Sequence, residues 1–130
     1  MKHGFMRIAG ILIGVVMIAN GIVMLANPAM WYGAVPGVAD TGPLNVHFVR
    51  DIGIAGGIAG AAIVWGAFQG GWIATTVGAA LLAAHSGLHI IETILGHHSE
   101  VLGAELLTVH LPAWAAVAIA LVQRRSARGA

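Results

Sequence analysis

The chain of 130 residues contains no cysteine. That excludes disulfides, thiolate metal sites, cysteine-based redox chemistry and covalent haem attachment through CxxCH. Charge is also scarce. Lys, Arg, Asp and Glu make up 8% of the residues, against roughly 25% in a soluble domain. So few charges cannot cover a surface that faces water. The net charge of +1 gives no electrostatic basis for binding nucleic acid. Alternation of apolar and polar residues, the mark of a transmembrane barrel strand, is missing too, because the apolar runs are continuous.

What the chain has in quantity is apolar length: 58% of residues are hydrophobic and mean hydropathy is +0.89. A helix of about 20 apolar residues spans a bilayer. Four such segments fit with short connections and a fifth does not. The expected fold is therefore all-α, a single integral-membrane domain (1–130) of four transmembrane helices, at about residues 5–26, 44–68, 72–95 and 101–122.

The first apolar run follows a short basic lead with Lys2 and Arg7. A signal peptide is the rival reading. No small-x-small site follows the run and Asn27-Pro28 sits at its end, so it reads as a retained helix. Residues 27–43 hold Asn-Pro, Val-Pro-Gly and Thr-Gly-Pro, all turn signals. Trp31 and Tyr32 open that loop, where interfacial aromatics belong. In the second helix Gly53, Gly56, Gly57 and Gly60 give overlapping GxxxG spacings that allow close helix contact, within the chain or with a second copy or larger membrane complex. Lys2, Arg7, Arg124, Arg125 and Arg128 are all near the termini. The positive-inside rule then places both termini in the cytoplasm of a multi-pass inner-membrane protein.

Seven histidines against five acids make histidine the main chemical resource. His85, His89 and Glu92 lie at i, i+4 and i+7 in the third apolar run. Steps of about 100° put all three on one helical stripe. Ionisable groups in a membrane helix are costly, so they usually face the bundle and have a partner or a role. At about 1.5 Å rise per residue, His110 reaches the level of His85, Asp51 that of His89, and His47 that of Glu92. Glu105 lies about 140° from His110 on a regular helix and is not expected to join them. His97-His98 reads as a wet surface pair in the third turn, and Arg50 as the partner of a carboxylate.

This pattern supports a transition-metal site (zinc, copper or iron) with His85, His89, Asp51, His110, His47 and Glu92 as ligands or near neighbours. The outer half carries Arg50 against Asp51, Glu92 and Glu105, an excess of negative charge that a dication would cancel. Three alternatives stand beside it. One is a b-type cytochrome with haem b between facing histidines. Another is a metal-free structural subunit of a larger complex. Proton transport is the weakest, since the polar residues do not continue into the inner half.

The stretch Trp31-Tyr32-x3-Pro36-Gly37-Val38-x2-Thr41-Gly42-Pro43-x-Asn45-x-His47-Phe48-Val49-Arg50-Asp51-Ile52-Gly53, with His85-x3-His89-x2-Glu92, resembles a family of small uncharacterised four-helix inner-membrane proteins of bacteria. The resemblance implies four spans and a bacterial inner membrane. It implies no activity and no catalytic residues.

Overall fold

The computed structural model describes residues 2–96 and 102–129, apart from the side chains of residues 2, 3 and 102. The described residues are helical throughout, joined by turns. Helix α1 is Lys2–Ala26, α2 Pro28–Ala34, α3 Val46–Gln69 and α4 Trp72–Ile94. The last long helix has three joined parts: α5 Leu102–Glu105, a π-helical turn Leu106–His110, and α6 Leu111–Arg128. Four segments, Gly4–Ala26, Val46–Gln69, Trp72–Ile94 and Gly103–Arg128, are long and apolar enough to cross a membrane.

The four long helices alternate in direction. Gly14 and Gly21 of α1 meet Gly60 and Gly53 of α3 in reverse order. His89 and Ser86 of α4 likewise meet Glu105 and His110 in reverse order. The two termini and the Gln69–Gly71 turn therefore share one end of the bundle, the terminal end. The other, loop end carries residues 27–45.

The turns explain where the helices stop. Asn27 caps α2, its side chain accepting from the Met30 amide at 3.2 Å, with Pro28 in the first turn where its missing N–H costs nothing. Asn45 does the same for α3 through Phe48, at 3.0 Å. Gly70 ends α3 in the left-handed region at φ +67°, which glycine adopts without strain. The 27–43 segment is more ordered than turn signals suggest. Its α2 helix folds back so that the Trp31 indole donates to Asn20 Oδ1 of α1 at 2.9 Å. The Tyr32 hydroxyl donates to the carbonyls of Gly42 and Ala39, closing the loop on itself. The last helix also runs past the expected stop at 122, because Gln123 to Arg128 are mostly good helix formers. Gln123 Nε2 reaches the Gly66 carbonyl at 3.3 Å, which ties α6 to the end of α3.

Large and small side chains are distributed inside out. The buried apolar residues include Ala59, Ala67, Ala79, Ala113, Ala116 and Ala120, with Ile63 and Leu82 among the few large ones. Phe5, Leu12, Ile58, Trp65, Ile73, Val77, Ile94 and Leu107 are each more than half exposed. The core of Ile63, Ala79, Leu82, Ala113 and Ala116, with Ile13, Met17 and Val117 packed against it, fills the middle and terminal end.

The α1–α3 seam is built from glycine, but only part of the α3 stripe grips. A Cβ on Gly60 would sit 2.6 Å from the Gly14 carbonyl oxygen, and one on Gly53 would sit 2.8 Å from Met24 Cβ. A Cβ on Gly56 would meet only the Met17 methyl at 3.7 Å, and one on Gly57 would meet nothing within 4 Å, although the Gly57 backbone lies against Gly21. The tightest spacing is therefore seven residues, two turns, on both helices. Close contact thus forms within the chain, tightest at Gly53 and Gly60. Gly60→Val should lower stability by about 1–3 kcal/mol, the usual cost of overpacking. Gly57→Ala should leave the thermal midpoint in detergent unchanged. Equal midpoints for the two variants would contradict this seam.

Candidate functional site

Helix α4 buries one stripe, Thr75, Gly78, Ala79, Leu82 and Ser86, against its neighbours. His85 and His89 flank the end of that stripe on successive turns. Their rings stand edge to face, with centroids 4.7 Å apart. Glu92, half-buried, continues the row one turn further on. The spacing of the sequence is thus realised on a regular α-helix.

The opposite wall comes from the last helix. His89 Nδ1 lies 2.9 Å from Glu105 Oε1, and Ser86 Oγ lies 2.7 Å from His110 Nδ1. The His110 ring is 6.5 Å from that of His89, again edge to face. Three imidazoles, one hydroxyl and one carboxylate therefore meet between α4 and the π turn. The Glu105 side chain is only 9% exposed. Its second oxygen, Oε2, is buried and has no hydrogen-bond partner among the described residues. A buried carboxylate oxygen without a partner is costly, and a cation would offset that cost.

Glu105 corrects the sequence reading. On a regular α-helix residues 105 and 110 diverge. The π turn Leu106–His110 closes i to i+5, as in the Leu111 amide bond to the Leu106 carbonyl. Residues five apart then stack along the axis, so Glu105 and His110 face the same neighbour. The cause is visible in the sequence. Pro112 has no N–H and cannot complete an α-helical bond to Thr108, so the helix takes a wider turn just before it. Ser86 was also missed; the signal for it is its place on the small-residue stripe of α4.

The other expected ligands lie elsewhere. His47 and Asp51 pair with each other on the exposed side of α3, at 3.4 Å, with side chains 90% and 54% exposed. Among the described residues no three His, Asp or Glu groups are placed to hold a metal ion together. The six-residue convergence expected from helix depths is thus not formed in this arrangement, because matching depth does not fix which way a side chain points around its helix. Arg50 pairs with a carbonyl rather than a carboxylate: its Nε donates to Leu25 O at 3.3 Å, at the negative end of α1. His97 and His98 lie outside the described residues.

The fold and the site define an all-helical bundle with four long apolar helices, in which Glu105 and His110 of the last helix face His89 and Ser86 of α4. No family model, no curated protein and no solved structure matches the chain.

Proposed function

We propose that this chain is a multi-pass protein of the bacterial inner membrane that binds a transition metal ion (zinc, copper or iron) between α4 and the π turn. The observation that carries the reading is the buried Glu105 carboxylate, with one oxygen on His89 and the other without a hydrogen-bond partner among the described residues, beside the rings of His85, His89 and His110.

The membrane setting is supported by the inside-out packing. In water the large exposed apolar side chains would be an aggregation hazard, whereas small residues at helix seams are how helices associate in lipid. Five of the six bases lie near the termini, which favours cytoplasmic termini. A cysteine at position 40 should then react with an impermeant reagent in intact spheroplasts, and one at position 126 only after lysis. The reverse pattern would overturn the orientation.

The chemistry of the donors suits a metal. In metal sites a ligating histidine commonly gives its second nitrogen to a carboxylate or other acceptor, which fixes the ring. The His89–Glu105 and His110–Ser86 pairs have that form, and Nε2 would face the ion in each. Two imidazoles on one tetrahedral ion, with bonds of about 2.0–2.1 Å, have ring centres roughly 5 Å apart. The His85–His89 pair already has this spacing, at 4.7 Å. His110, at 6.5 Å from His89, must rotate inward. Glu92, on the same stripe, is placed to take part, while His47 and Asp51 stay outside the set.

One distance favours a second reading. Two imidazoles bound in line on a haem iron, with bonds of about 2 Å, would have ring centres roughly 6 Å apart, close to the His89–His110 separation. A spectrum and an elemental analysis of one chelator-free preparation decide the matter. About one equivalent of metal without a haem band supports the site; less than about a tenth of an equivalent, again without a haem band, sinks it.

A further inference from the structure

Among the described residues, two grooves on the surface of the bundle lie away from the histidines. One, between α1 and α3 at the loop end, is lined by apolar side chains and glycine and carries no charge that would select an occupant. The other is different. It runs between α4 and α6 at the terminal end, with a volume of about 210 Å³. Its walls are the small or apolar side chains of Thr76, Ala80, Val117 and Leu121, and its mouth is formed by Trp72 and Arg124.

The mouth is built around charge. The Arg124 guanidinium lies 5.4 Å over the centre of the Trp72 ring, which holds it beside the groove. At the same end Arg7 lies 5.1 Å over Phe68. Arg125 and Arg128 occupy the last turn of α6. No Asp or Glu among the described residues balances them: Asp40, Asp51, Glu92 and Glu105 all lie away from the termini and the Gln69–Gly71 turn. The first turn of α4 beside the mouth has no side-chain cap, so its amides add partial positive charge.

We infer that this groove binds an anionic phospholipid, with an acyl chain between α4 and α6 and the phosphate against Arg124. An apolar channel opening onto a guanidinium is complementary to that molecule, and less so to a zwitterionic one, whose ammonium group offsets the phosphate charge. Basic pockets between helices on the cytoplasmic side are suited to such headgroups. The inference rests on the membrane reading and is independent of the metal.

The test is thermal unfolding of the full chain in detergent with added phosphatidylglycerol, phosphatidylcholine or inorganic phosphate, with native mass spectrometry on the same samples. Phosphatidylglycerol should raise the midpoint more than phosphatidylcholine, and one lipid should stay bound in the gas phase. Arg124→Gln, at an exposed position, should weaken phosphatidylglycerol about fivefold and leave the midpoint in phosphatidylcholine unchanged. Ala80→Trp, also exposed, should block the acyl chain while Arg124 remains. Equal protection by the two lipids would overturn the inference. So would protection by phosphate alone that matches the lipid, or unchanged phosphatidylglycerol binding in both variants.

Discussion

Replacing His85 and His89 together by Ala should abolish bound metal, from about one equivalent to less than a tenth. The two rings already have the separation of ligands on one tetrahedral ion. They also lie on a regular stretch of α4, so neither needs the backbone to move. Metal bound to the folded protein alone stabilises it by mass action, about 2.7 kcal/mol at a hundredfold excess over Kd. The double variant should lose that metal-dependent rise in the thermal midpoint. Removing His89 also leaves Glu105 without its hydrogen-bond partner, at a cost of roughly 1–3 kcal/mol. A poorly folded double variant would therefore say little by itself. His85→Gln answers this, because His85 lies at the exposed edge of the site and its replacement leaves the His89–Glu105 hydrogen bond in place. It should weaken metal binding while the metal-free midpoint stays where it was. Unaltered metal content in both variants would place the ion elsewhere, with His47 and Asp51 the next residues to change.

The sequence carried much of the fold, for a plain physical reason. In an apolar chain the length of each run and the turn residues between runs nearly determine the helices, and three of the four expected spans agree with the structure to within a few residues. The histidine stripe on α4 was legible because a regular helix converts spacing into direction. Legibility ended where that regularity ended. Across the π turn the 100° rule fails, so Glu105 was assigned to the wrong side of its helix and the one buried carboxylate of the site was missed. Depth alone placed His47 and Asp51 beside the α4 histidines. Rotation about α3 is set instead by Gly53 and Gly60 docking on α1, and that rotation leaves both side chains exposed. That α1 excludes a side chain at Gly53 and Gly60 but not at Gly57 likewise depends on which way each Cα is turned, and a GxxxG pattern does not contain that information. Arg50 found a carbonyl because α1 ends one turn from it in space, a contact between residues 25 apart.

Glu105→Gln should separate a ligand site from a structural hydrogen-bond network, because only the first ties metal affinity to the carboxylate. The carboxylate is 91% buried, with Oε1 on His89 and Oε2 without a hydrogen-bond partner among the described residues. In the metal-free protein the charge is a burden: desolvation of a buried ion commonly exceeds what one partner returns, and neutral replacements of similar volume are often neutral or stabilising. Gln keeps the volume and, through its amide oxygen, the hydrogen bond from His89 Nδ1. The metal-free variant should then be at least as stable as the wild type. Its metal affinity should fall about 10- to 100-fold, the usual effect of altering a group that orients or supports a ligating histidine. Glu105→Ala removes the bond as well and should destabilise the protein with or without metal, giving the reference for simple damage. If Glu105 serves only to hold α4 against the π turn, Gln should leave metal affinity where it was, and only Ala should lower the midpoint. Paired measurements of thermal midpoint and metal affinity on the three proteins distinguish these outcomes, since Gln moves the affinity in one arrangement and not in the other.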